Sequence, residues 1–199
     1  MLLGFAIGDA FGAGVEFQDR DWIRREVDFS RFVNARHLIP VPQEEIHRFT
    51  QHYSPWNYTD DTEMTIGVLK ALMDEADFSE ELLVRKWQEE YDRGIAERGY
   101  GRNGHGSMAW YYKGEKTLAE IKSFQRDRPN PGNAPAMRSV PLGLIPENEI
   151  NAYAEINAYA THPNEEAIIS SQCVARAAAF LMVKGGKTAD LFSYCMDTV

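Results

Sequence analysis

The chain has 199 residues, 44% hydrophobic and 26% charged, which is the composition of a soluble globular protein long enough for one real core. Its net charge of −9 argues against a nucleic-acid footprint, which needs clustered Lys and Arg, but leaves room for a small anion held by a helix N-terminus or a metal. Cys173 and Cys195 sit in apolar helical patterns and read as buried thiols of a reducing, cytoplasmic compartment rather than a disulfide framework. The N-terminus has no basic leader and carries Asp9, and no apolar run is long enough to cross a bilayer.

Residues 2–17 predict a helix with Gly4, Gly8 and Gly12 on one smooth stripe that would admit a close backbone neighbour. Asp9 and Glu16 lie two helical turns apart and share a face if the helix persists that far. Residues 18–58 read as irregular, with prolines at 40, 42 and 55. A helix follows Thr59 with Met64, Val68, Ala71 and Leu72 on its apolar side. Ser79 caps the clearest amphipathic helix, 79–98, in which Leu83, Trp87, Tyr91 and Ile95 recur every fourth residue. Glycine-rich turns hold Tyr100 and His105, the latter read as a loop residue. Thr117 with Glu120 opens the next helix as a capping box. A proline-rich loop covers 127–135. The hexapeptide Glu149–Ala154 is repeated letter for letter at 155–160 and reads as a short duplication inside a helix. In the helix 165–184, Ile169, Cys173, Val174, Ala177, Phe180 and Leu181 form the expected apolar face. A last helix begins at Thr188 and reaches Val199 without a cap, as though the chain ended early. Strand signals are scarce. The expected architecture is all-α, a single domain over 1–199 with polar loops at one end.

The chemistry concentrates in Tyr58-Thr59-Asp60-Asp61-Thr62-Glu63-Met64. Adjacent carboxylates repel, and a fold tolerates them best opposite a helix N-terminus or a hard divalent cation. Two readings stand side by side: Asp60 and Glu63 have the spacing of a capping box, and the carboxylate and hydroxyl oxygens suit Mg²⁺ or Mn²⁺. Asp9, in an apolar setting, needs partners of its own; it is either a hydrogen-bonded buried acid or part of the same cluster. His162 stands before Pro163 and Asn164 at a helix entry, and Arg138 suits a structural ion pair. An acidic prenyl-diphosphate synthase motif, Asp-Asp-x-x-Asp, is excluded by Met64 at its fifth position.

Four motifs in order, Gly8-Asp9-Ala10-Phe11-Gly12, Thr59-Asp60-Asp61-Thr62-x-Met64, Gly132-Asn133-Ala134-Pro135-Ala136-Met137-Arg138 and Thr161-His162-Pro163, resemble those of the ADP-ribosylglycohydrolases, the family of the dinitrogenase reductase-activating glycohydrolase. The resemblance implies an orthogonal all-α bundle, a binuclear Mg²⁺ or Mn²⁺ centre, and hydrolysis of an ADP-ribose conjugate at the ribose C1. It places Thr59, Asp60 and Asp61 as metal ligands and Glu16, Asp60 and Asp61 in catalysis. It places Asn133, Met137, His162 and Tyr100 around the ADP-ribose. Two departures stand out. Ala134 occupies a position that is glycine in the family, which costs about 1 kcal/mol if the backbone there needs φ > 0. A second acidic motif, Asp-x-Asp-Thr, has only the echo Asp197-Thr198. One weak ion or none is then expected in place of two. The reading divides into an active hydrolase of ADP-ribosylated protein or small molecules, and an incomplete relative that binds ADP-ribose or needs a second chain or copy to complete its site.

Overall fold

The computed structural model describes residues 1–13, 15–16, 18–32, 57–98, 105–129 and 132–199, with the backbone alone for 95–98. Among the described residues there are ten α-helices and no strand, the all-α architecture expected. The chain divides into two compact units, Met1–Glu63 with Tyr91–Gly106 and Met64–Glu90 with Ser107–Val199.

The first unit opens with α1 (Leu2–Ala13), which buries Ala10 and Ala13. Phe11 stacks on Phe32 with ring centroids 4.2 Å apart. A Cβ added at Gly4, Gly8 or Gly12 would meet no described atom within 4 Å, so among the described residues nothing packs closely on the small-residue stripe. Within the stretch expected to be irregular lies a short helix, α2 (Arg20–Glu26), capped by Asp19, whose side chain accepts from Trp22 N. The rest of that stretch, 33–56, lies outside the described residues, as does Tyr100.

Two long helices, α3 (Asp60–Leu72) and α4 (Glu80–Arg98), have their first and last parts respectively in the first unit. In the second unit Trp87 of α4 is fully buried and donates its indole N–H to Met64 O of α3 at 3.1 Å. A Cβ at Gly67 would lie 2.5 Å from Trp87 Cδ1, so only glycine lets the indole lie against the α3 backbone. Ser79 Oγ caps α4 by accepting from Leu82 N. The unit continues with α5 (Met108–Tyr112) and α6 (Leu118–Arg126), the latter opened by the expected Thr117–Glu120 box. Next come α7 (Ala134–Met137), a 3₁₀ turn at Val140–Leu144, α8 (Ile150–Tyr159), α9 (Glu165–Ala178) and α10 (Leu191–Thr198). Met64, Val68, Leu83, Trp87, Met108, Ile121, Leu142 and Ile150 form the heart of its core.

The buried face of α9 differs from the one expected. Ala167, Ser171, Ala175 and Ala178 are buried, whereas Ile169 is 43% and Leu181 39% exposed. The facing side of α8 is itself small or polar, with Ala154, Asn157 and Ala158 buried. Ser171 Oγ donates to Ala154 O at 2.9 Å and accepts from Asn157 Nδ2 at 3.1 Å. Close approach and hydrogen bonding thus select the small face over the large apolar one. Glu165–Val183, with its π-turn at Ala179–Val183, is 19 residues long with a mean hydropathy of 1.4. On length and composition alone that could cross a membrane, against the expectation from the sequence; the core helix of a soluble protein meets the same criterion. The hexapeptide repeat lies in α8. A six-residue shift rotates the second copy by about 240° on a helix. Asn157 is therefore fully buried, while Asn151 is only half-buried and accepts from Arg176 Nε at 2.9 Å. Cys173 and Cys195 are free thiols as expected, but half-buried rather than buried.

Candidate active site

Thr59 stands immediately before α3: its carbonyl accepts from Glu63 N at 3.3 Å and its Oγ1 from Asp61 N at 3.3 Å. Thr59, not Asp60, is thus the N-cap, and the Asp60–Glu63 capping box does not form. Asp9 of α1 supplies the rest of the cap. Its Oδ2 accepts from Thr59 N (2.8 Å), Thr62 N (3.1 Å) and Thr62 Oγ1 (2.6 Å), and its Oδ1 from Thr59 Oγ1 (2.8 Å). With both oxygens engaged, Asp9 is the hydrogen-bonded acid that fixes the start of α3, complementing the positive end of the helix.

That arrangement leaves Asp60 and Asp61 as the acids of the site. Asp60 Oδ2 accepts from His105 N at 3.1 Å. Asp61 Oδ2 lies 3.2 Å from Thr59 Oγ1, whose hydrogen is committed to the nearer Asp9 oxygen. The Asp61 carboxyl is pushed up to about 7, first by burial, then by the charges of Asp60, Asp9 and Glu16, with the Thr59 hydrogen bond opposing. Every charge acting on it from the described residues is negative. A protonated Asp61 can donate to Thr59 Oγ1, which reconciles that contact with the single hydroxyl hydrogen. Glu16 lies in the turn that follows α1, half-buried, so the helix does not persist to carry it on Asp9's face. It still joins the negative field at Asp61. Among the described residues no group of three or more His, Cys, Asp or Glu is arranged to hold a metal ion.

Two residues read otherwise from sequence complete this corner. Glu63 is 2% exposed, and a Cβ added at Gly94 would fall 2.1 Å from its Oε1, so α4 can pass this carboxylate only as glycine. His105 is buried with its ring Nε2 hydrogen-bonded to Glu63 Oε2 at 3.2 Å and its ring in a T-shaped contact with Tyr91. It holds φ at 61°, the only non-glycine above zero among the described residues, a conformation that costs roughly 1 kcal/mol or more and persists only where surroundings impose it. The one signal in the sequence was a histidine flanked by Gly104 and Gly106.

In the second unit, Ala134 opens α7 with Pro135 beside it, in helical conformation, so the strain expected from alanine at a left-handed position does not arise. Asn133 is exposed at the cap position of α7 and makes no side-chain cap bond. Met137 packs on the core, and its carbonyl accepts from Thr65 Oγ1 at 3.4 Å. Arg138 is fully buried but has no acid partner among the described residues, contrary to the expected ion pair. It donates Nε to Asn157 Oδ1 (2.7 Å) and Nη2 to Asn157 O (2.8 Å) and Thr161 Oγ1 (2.8 Å), and it lies 3.8 Å over the Trp87 ring. Burial lowers it to about 9, still a cation at neutral pH. His162, also buried, has Nδ1 2.8 Å from Thr161 Oγ1, while a Cβ on Gly132 would stand 3.1 Å from its Nε2.

Burial, then Arg138 and Arg128, hold His162 down to about 3 and therefore neutral. An unfolded histidine titrates near 6.5. Between those values the unfolded chain binds a proton that the native state refuses, so this residue's stability contribution is complete above pH 6.5 and is lost as pH falls toward 3. The expected loss from pH 6.5 to 4.5 is about 2 kcal/mol. Urea unfolding of the protein and of His162→Gln at both pH values checks this: the variant should show a correspondingly shallower dependence, and equal dependences would remove the assignment.

A model of the ADP-ribosylglycohydrolase family matches residues 1–199, the whole chain. The chain belongs to the ADP-ribosylglycohydrolase family, a family of hydrolases acting on ADP-ribose conjugates. No curated protein and no solved structure matches it.

Proposed function

We propose that this protein hydrolyses the bond at the ribose C1 of an ADP-ribose conjugate with the help of Mg²⁺ or Mn²⁺ at Thr59, Asp60 and Asp61. The observation that supports it is the crowding of Asp9, Glu16, Asp60 and Asp61 with no positive charge among the described groups acting on Asp61. Two carboxylates and a hydroxyl are hard oxygen donors that fit one such ion, water completing its shell. A bound ion would orient the ribose diol and acidify a water. Asp9 keeps the ligand-bearing turn in register through four hydrogen bonds. Glu16 is the carboxylate assigned to take the proton of the attacking water. Asn133 is assigned to the ribose and diphosphate through its amide, Met137 to the apolar wall of that loop, and neutral His162 to a hydrogen bond from its ring.

Incubation with ADP-ribosyl-arginine and ADP-ribosyl-serine peptides and Mg²⁺ tests the proposal: free ADP-ribose is expected, abolished by chelation. No release at high protein concentration would refute it for these linkages. A second reading, a protein that binds ADP-ribose without turnover or whose centre is completed by another chain, is favoured by the lack of a three-acid metal group among the described residues. Calorimetry with Mn²⁺ and ADP-ribose separates the two: binding without turnover supports the second, and turnover by the isolated chain removes it.

A further inference from the structure

Asp60 does not stand alone at the start of α3. Its Oδ2 accepts from the backbone N–H of His105, and that N–H is aimed by a left-handed residue with φ of 61°. The same residue's side chain is fully buried, and its Nε2 meets Glu63 Oε2 at 3.2 Å. Glu63 is one turn along α3 from Asp60, and its carboxylate is lodged against Gly94 of α4, where a side chain as small as alanine's would overlap it. Tyr91 of α4 packs T-shaped against the imidazole, with ring centroids 5.4 Å apart. A chain segment distant in sequence is thus attached to the first turn of α3 twice, once by ring to Glu63 and once by backbone to Asp60.

From this geometry we infer that Glu63 and His105 are a positioning pair: their buried contact locks the backbone of His105 so that its N–H orients the Asp60 carboxylate toward the ion. The inference rests on the proposed role of Asp60 as a metal ligand. An outer partner that holds one ligand oxygen fixes which oxygen and lone pair the ion meets, and loss of such a partner typically weakens metal binding by about 10- to 100-fold. Neither Glu63 nor His105 needs to touch the ion or the substrate. Asp9, by contrast, ties the Thr59 and Thr62 groups, so the two acids of α1 and α3 orient different parts of the same turn.

The test uses the full chain with Glu63→Ala, Glu63→Gln and His105→Gly; the glycine variant removes the ring while easing the left-handed backbone. Two quantities are measured: hydrogen exchange of the residue 105 amide by NMR without metal, and Mn²⁺ affinity by electron paramagnetic resonance. Glu63→Ala and His105→Gly should speed exchange at residue 105 by at least about tenfold and weaken Mn²⁺ binding by about 10- to 100-fold. Glu63→Gln, which keeps the shape and an acceptor oxygen, should stay within about threefold of the parent. A core control of similar stability, such as Ile150→Val, should leave both unchanged. Unchanged exchange in folded Glu63→Ala or His105→Gly overturns the inference, as does a Mn²⁺ loss no greater than the control's. Should the parent protein bind no Mn²⁺, the metal reading of Asp60 fails, and unchanged or accelerated exchange at residue 105 still decides whether the pair positions the backbone.

Discussion

Arg138→Ala is expected to destabilise the protein by about 3–5 kcal/mol. The guanidinium is fully buried and is held by three hydrogen bonds to oxygen, a longer one from Nη1 to Met64 Sδ, and the face of Trp87. Truncation removes all of them at once, leaves a cavity, and strips Asn157 Oδ1 of its charged donor. Arg138→Lys should also be damaging, because a point ammonium cannot serve Asn157 and Thr161 with a planar fork. Arg138→Met, which fills part of the space and discards the buried charge, should lose less than Arg138→Ala. The ranking separates cavity from polarity and is read from urea midpoints at pH 7. An Arg138→Ala variant within about 1 kcal/mol of the parent would mean that Asn157 and Thr161 repartner without it.

Asp61→Asn is expected to move stability and function in opposite directions. Burial and the neighbouring carboxylates push the Asp61 carboxyl up to about 7, well above the ordinary aspartate range. Raised above its unfolded value, it destabilises the native state increasingly as pH climbs from 4 to 7, and the full penalty holds above that. An uncharged, isosteric amide avoids the penalty. The metal-free variant at pH 8 should therefore be more stable than the parent by on the order of 2 kcal/mol, measured by urea unfolding in EDTA. The same change removes one of the two proposed anionic ligands and should reduce hydrolysis of an ADP-ribosylated peptide by on the order of 10³-fold. Loss of both stability and activity would identify Asp61 as a plain structural carboxylate.

Much of this fold was legible because its signals are local. The Ser79 cap and the Thr117–Glu120 box are bonds within one turn, and the chain forms them as read. Asp9 read either as a hydrogen-bonded buried acid or as part of the acidic cluster; it is hydrogen-bonded but half-buried, and nothing in the sequence said that Thr59 and Thr62 would supply the donors. The face of α9 was not legible, since apolarity alone favoured Ile169 and Leu181, while the fit of Ser171 and alanines against Asn157 of α8 decided the packing. The Glu63–His105 contact joins residues 42 apart and leaves no periodic trace. Arg138 read as a structural ion-pair partner, but among the described residues its partners are an amide, a hydroxyl and an indole instead of an acid. Those are tertiary choices that no spacing encodes.

The divalent ion proposed above takes Asp60 and Asp61 as its carboxylate ligands. Anomalous scattering from a crystal soaked in Mn²⁺ tests it most directly. A Mn²⁺ peak within bonding distance of both carboxylates and Thr59 Oγ1 is expected. A map at saturating Mn²⁺ with no peak there would refute it.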